Sequence, residues 1–368
     1  MLKLLIILLI GFNGYLTKTI ILTFRELSNS YNLVVDLGIS KQKYFELDLK
    51  TPYNWAIQRY YDKRNSKSYG FETVFFRDFG DITMEKLSDH LIIKEGGINI
   101  EIFNFYYSDK FLSFDSISFA HSFKNINHSL VHTLYNNKQI DQLGFGFSSS
   151  NVVIFGEMYL GEMKVNSGYT MKGRCNAIND TIEWSCKLNE VIINNIKYNE
   201  ILSNYFQTNK KRILVPKSFM KILQEIYFDQ YLKSGDCSLD LRLGYHTYIC
   251  KRHTLNFFPK LIFHFDNLIL PFEPRDLVYN YERKVVFLIE ENKNDEWVFG
   301  ISFFKKYAPY FSYENNSVSF YTLSTEQEIF KQNIKKVMVI VISINQGIMI
   351  IILLLEKRKC QKELIEII

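Results

Sequence analysis

Proline is scarce in this chain, 6 of 368 residues, and glycine is held to 17. A chain so poor in backbone breakers, with no low-complexity linker, is neither collagen-like nor a disordered Pro/Gly-rich protein. Blocks of a single charge are also missing: 44 basic and 39 acidic residues are scattered to a net charge of +5. That distribution offers no basic stripe, and nucleic acid is not an expected partner. There is no Gly-rich phosphate loop. His128 and His132 stand one helical turn apart but lack the intervening glutamate of a zinc hydrolase motif, so no metal site and no cofactor are expected. What is abundant is aromatic: 31 Phe and 24 Tyr within a hydrophobic fraction of 47%. Such a composition favours ordered, strand-rich structure, and the length exceeds what a single core usually organises.

The two ends are apolar in different ways. Residues 1–14 pair Lys3 with the run Leu4 to Ile10, too short for a bilayer and suited to a signal peptide. Residues 337–355 form a nearly uninterrupted apolar stretch between Lys335-Lys336 and Glu356-Lys357-Arg358-Lys359, the length a transmembrane helix needs. A cleaved signal would leave the ectodomain in the lumen or outside the cell, and residues 356–368 as a cytoplasmic tail. Cys175, Cys186, Cys237 and Cys250 lie between signal and anchor, and Cys360 beyond them. Two disulfides are expected; three pairings are open, and Cys175 with Cys186 and Cys237 with Cys250 close the shortest loops. Asn127, Asn179 and Asn315 each begin a glycosylation sequon.

Between the ends, short strand-like runs alternate with polar turns: Ile20 to Thr23, Leu33 to Val35, Phe71 to Phe76, Ile98 to Phe105, Val152 to Phe155, Val191 to Ile193, Lys260 to Phe265, Val285 to Ile289 and Ser317 to Thr322. Lys217 to Tyr231, entered through Pro216, is the best helix candidate. The Ser148-Ser149-Ser150 cluster suggests a boundary dividing a lobe at 15–150 from a lobe at 151–330. Both parts repeat one order of features. Leu33-Val34-Val35 runs into Asp36-Leu37-Gly38-Ile39-Ser40, with Leu143-Gly144-Phe145-Gly146 much later. Asn204-Tyr205-Phe206 runs into Gln207-Thr208-Asn209-Lys210-Lys211, with Trp297-Val298-Phe299-Gly300 later.

In that order of features the chain resembles the pepsin-like aspartic protease family. Asp36 to Ser40 is similar to the family's Asp-Thr-Gly-Ser-Ser, with Leu37 in place of Thr. Phe71 to Ile93 resembles the flap hairpin, its tyrosine position falling on Phe76 or Arg77. Ile140 to Gly146 resembles the family's Asp-Gly-Ile-Leu-Gly-Leu-Gly, and Phe155-Gly156-Glu157 the opening of its second lobe. Trp184, Pro216, the Cys237 and Cys250 pair, Phe258 to Phe263 and Trp297 to Tyr307 continue the likeness. A rival alignment sets Leu49-Lys50-Thr51-Pro52 on the family's Gly-Thr-Pro and moves the first acid toward Asp62. The resemblance implies an all-β, bilobal fold of two barrel-like lobes around a central cleft.

Family chemistry needs two carboxylates sharing a proton on a water between them, one acting as base and the other as acid. Asp36 is the expected first carboxylate, and the position of the second is held by Gln207. An amide hydrogen-bonds a water but exchanges no proton with it. Lys210-Lys211 replace the small hydroxyl residues that brace the family's loop. No inhibitory prosegment is expected, since a strand at Ile20 follows closely on Gly14. The sequence therefore points to a membrane-anchored, catalytically degenerate relative whose cleft takes a peptide or protein segment. Two other readings stay open: an active endopeptidase using Asp36 and an unrecognised second acid, and a surface or trafficking scaffold with no enzymatic role.

Overall fold

The computed structural model describes residues 18–27, 30–37, 40–57, 67–76, 80–108, 115–121, 129–149, 155–163, 169–179, 181–200, 203–240 and 247–323. Expectations for the signal peptide, Asp62, Arg77, Asn127, the 337–355 segment and the tail lie outside them. Among the described residues, no helix is long and apolar enough to cross a membrane.

The structure is mostly β. The described residues from Lys18 to Met163 and from Met171 to Tyr321 form one compact unit. Strands occur at Ile20–Leu27, Ser30–Leu37, Lys67–Phe76, Ile98–Ser108, Leu188–Ile193, Leu261–Phe265, Lys284–Phe287 and Ser317–Leu323. They cover the expected runs at Ile20 to Thr23, Leu33 to Val35, Phe71 to Phe76, Ile98 to Phe105, Val191 to Ile193 and Ser317 to Thr322, while the run from Val285 to Ile289 is interrupted at Leu288 and that from Val152 to Phe155 lies mostly outside the described residues. Alternating burial gives several of them a core-facing side. In Leu261–Phe265, for example, Leu261, Phe263 and Phe265 are buried while Ile262 and His264 are only partly so. The helix after Pro216 is present as Lys217–Leu223 and Asp229–Lys233, joined by a π-helical turn at Gln224–Phe228.

A continuous sheet joins the two halves of the sequence. Strand Gly144–Ser149 pairs antiparallel with Phe155–Leu160 on one side and with Ala308–Ser312 on the other. Its aromatic side chains build the core there: Phe145 stacks on Phe311 at 4.9 Å and Phe147 on Phe304 at 5.8 Å between centroids. Trp55, Trp184 and Trp297 are all fully buried. Trp184 ties the halves again, donating from Nε1 to the Phe119 carbonyl at 2.9 Å.

Two four-strand motifs, one in each half, carry the loops that hold the polar residues of interest. In the N-terminal half, Ser40–Asp48 runs parallel to Ser116–Ser118, which is antiparallel to Trp55–Ile57, which is parallel to Ile98–Ser108. In the C-terminal half, Asn204–Phe206 runs parallel to Trp297–Phe299, which is antiparallel to Ile213–Val215, which is parallel to Ile289–Glu291. The order and polarity of pairing are identical. Each motif brings the end of one strand level with the end of its parallel partner, Asp48 opposite Ser118 and Phe206 opposite Phe299.

Candidate functional site

Register makes the two motifs superimposable residue by residue. Leu47 lies opposite Ile117 and Phe206 opposite Phe299; Trp55 lies opposite Ser116 and Leu214 opposite Val298. Matching Ile117 to Phe299 and Ser116 to Val298 makes Leu47 the counterpart of Phe206 and Trp55 that of Leu214. Both matches carry the same offset, and under it the counterpart of Gln207 is Asp48. The expectation for Asp36 is therefore corrected. Asp36 sits in strand Ser30–Leu37, where it accepts from the Gln42 amide at 2.6 Å and approaches Lys94 Nζ at 3.2 Å. It stabilises a hairpin and an adjoining turn.

The rival alignment also fails, since Leu49 to Pro52 belong to the loop that follows Asp48. The long segment paired with the first loop changes too. That role belongs to Ser116–Ser118, whereas Gly144 to Gly146 lie in the strand that joins the halves.

Asp48 is buried and closely braced. The Lys50 amide donates to its Oδ1 at 2.7 Å, and Thr51 Oγ1 donates to its Oδ2. Thr51 Oγ1 in turn accepts from Trp55 Nε1 at 3.2 Å, so a buried indole fixes the hydroxyl that fixes the carboxylate. Ser118 Oγ donates to the Thr51 carbonyl, and the Ser118 amide donates to Asn54 Oδ1 at 2.9 Å. Burial pushes the Asp48 carboxyl above its usual range, against the pull of the Thr51 hydroxyl and the Lys50 and Thr51 amides.

The second loop meets the first at its base. Thr208 Oγ1 donates to the Leu47 carbonyl, and the Tyr31 amide donates to the Thr208 carbonyl at 3.1 Å. The counterpart of Thr208 is Leu49, which has no hydroxyl to return the bond, so this tie runs one way. Gln207 is buried; its amide nitrogen donates to Glu183 Oε2 at 3.4 Å and its backbone N–H to the Phe299 carbonyl at 3.0 Å. Lys210 stands where Thr51 braces Asp48. The tight loop nevertheless forms, because the Lys210 and Lys211 carbonyls accept from the Ile301 and Ser302 amides at 2.7 and 3.1 Å. The cation of Lys211 lies over the Tyr279 ring at 5.1 Å, and Arg212 pairs with Glu290 at 2.8 Å.

Glu46, two residues before Asp48, is a site residue that sequence reading missed. It is buried and its Oε1 has no partner. Burial and then the nearby Asp48 charge raise its pKa to about 7, against Ser30, Asn209 and Lys210.

Of the other expected residues, Phe76 ends strand Lys67–Phe76, which forms a hairpin with Gly80–Ile93. Cys175–Cys186 and Cys237–Cys250 are disulfides, consistent with an oxidising secretory or extracellular environment. Asn179 and Asn315 are exposed. Among the described residues, no cluster of His, Cys, Asp and Glu has metal-binding geometry. The site holds the buried carboxyl of Asp48, an amide at the equivalent position Gln207, and two further buried carboxyls, Glu46 and Glu183. Comparison with known families matches residues 29–323 to the model described as eukaryotic aspartyl protease. No match to a curated protein was found.

Proposed function

The chain belongs to the eukaryotic aspartyl protease family, and from that membership we propose that it is a non-hydrolytic member whose cleft holds an extended polypeptide. The observation that carries this reading is the equivalence of Gln207 with Asp48. A lone carboxylate, however well braced, lacks the partner with which it would pass a proton back and forth across a bound water. Groups acting as a unit are not additive, and loss of one removes most of the rate.

Binding does not need the second acid. An extended peptide is held by backbone hydrogen bonds and side-chain pockets, and the hairpin Lys67–Phe76 with Gly80–Ile93 is suited to cover such a ligand. The surrounding assignment comes from sequence: a signal at 1–14, a two-lobed glycosylated ectodomain over 15–150 and 151–330, and a membrane anchor at 337–355. The two disulfides and the family match support a secretory route.

The test is to incubate the purified full-length chain with a random 12-residue peptide library at acidic pH, then identify retained and released material by mass spectrometry. Retention of intact peptides supports the proposal. Cleaved products, or no retention, contradict it.

One observation favours a second reading. Glu183 is buried and 3.4 Å from the Gln207 amide nitrogen, which makes it the candidate for a substitute acid in an active endopeptidase. Under that reading wild-type cleavage occurs and Glu183→Gln abolishes it.

A further inference from the structure

On the strand Ser40–Asp48, Glu46 stands two residues before Asp48, and side chains two apart on a strand share a face. Glu46 pairs in register with Asn32 on one side and with Ser116 on the other. Asn32, Glu46 and Ser116 therefore form a polar row across three strands, on the face that carries Asp48, and they are only 8%, 6% and 0% exposed. The row is half satisfied. Asn32 Nδ2 donates to the Ser30 carbonyl at 3.1 Å and to Ser30 Oγ at 3.0 Å, whereas Glu46 Oε1 and Ser116 Oγ have no partner. The counterparts of Glu46 and Ser116 in the C-terminal motif are Tyr205 and Val298, so the second half carries no carboxyl there.

Neighbouring oxygens left bare in a buried position call for a donor, and the carboxyl among them also calls for a balancing charge. Asp48 adds negative potential from the same face, and Lys210 on the Gln207 loop bears on Glu46 without forming an ion pair among the described residues. We propose that Glu46 and Ser116 line an acidic subsite that takes a basic side chain, lysine or arginine, of the extended polypeptide. The assignment rests on the peptide-holding reading. An ammonium or guanidinium brings several N–H donors and a positive charge, so one group donates to the Ser116 hydroxyl and to the carboxylate together. Two oxygens are too few to hold calcium, and neither a water nor an uncharged side chain would neutralise the carboxylate.

Retention of the random peptide library by the full chain is measured at about pH 8, where Glu46 is ionised, and the retained peptides are sequenced by mass spectrometry. Wild type should enrich lysine and arginine at one position about fivefold or more over the input. Among peptides that Glu46→Gln retains, the enrichment should be below about twofold, and Ser116→Ala should fall between the two. The separate lysine and arginine frequencies tell which head group the subsite prefers. Peptides retained by wild type without basic enrichment, or equal enrichment in Glu46→Gln, overturn the subsite. If wild type retains no peptide, the binding function fails, and n-butylammonium and n-butylguanidinium then decide the subsite by themselves. At about 10 mM, one or both should raise the Tm of wild type by about 2 °C or more and leave that of Glu46→Gln in place. Equal shifts in the two proteins, or none in wild type, overturn it.

Discussion

At the scale of single residues, the one-way tie between the loops is the most exposed to test. Thr208→Val keeps the shape but removes the donor to the buried Leu47 carbonyl, and should destabilise the protein by about 1–2 kcal/mol in chemical denaturation. Glu46 predicts a pH dependence whose sign comes from proton counting. Its pKa rises from an ordinary 4.5 to about 7 on folding, so between those values the folded state binds the extra proton. Stability therefore falls as pH climbs through that window, by about 3 kcal/mol, and Glu46→Gln should flatten the slope in denaturation curves taken across it.

The same scale shows where the sequence misled. Leu33-Val34-Val35 before Asp36 is a purer apolar run than Phe45-Glu46-Leu47 before Asp48, where Glu46 is a buried carboxyl. Periodicity reads burial, and a buried carboxyl at a contact between loops looks like a solvent position. A usable signal was present. Asp48 stands before Trp55 at the same distance as Gln207 before Leu214, and Thr51 supplies the hydroxyl that a buried acid requires.

At the scale of elements, the strands that carry a clear apolar run, the Pro216 helix and the short disulfide loops were legible because each is set by local patterns or short closures. The pairing of Ser116–Ser118 with the Asp48 strand was not, since three residues carry no periodicity. The disulfide Cys237–Cys250 closes a loop with a sequence separation of 13. Replacing both cysteines by alanine should cost about 3 kcal/mol, measured by urea unfolding. Gly300 is needed for close approach rather than for an unusual backbone angle. A Cβ there would collide with the Lys210 and Arg212 carbonyl oxygens. Gly300→Ala should therefore displace the Gln207 loop and destabilise by about 3 kcal/mol, visible as a lowered Tm.

For the whole molecule, the strand Gly144–Ser149 and the rings stacked on it make the two halves interdependent. Phe145 and Phe147 pack on Phe119, Phe24 and Tyr31 in the N-terminal half, and their other faces stack on Phe311 and Phe304 of the C-terminal half. A fragment ending at Met163 should then expose those rings, bind a hydrophobic dye and fail to unfold cooperatively, whereas the intact chain should unfold in one transition. Two-fold repetition was visible in the sequence, but its register was not, because register is fixed by pairing across the sheet. Only the paired strands reveal that an amide answers Asp48.

Peptide hydrolysis by the full chain across acidic pH, assayed beside Asp48→Asn, bears most directly on that pairing. An amide at the position equivalent to Asp48 predicts no turnover above background for either protein. Acid-optimal cleavage by wild type that disappears in Asp48→Asn would mean that a second acid serves the site, and the account would be wrong.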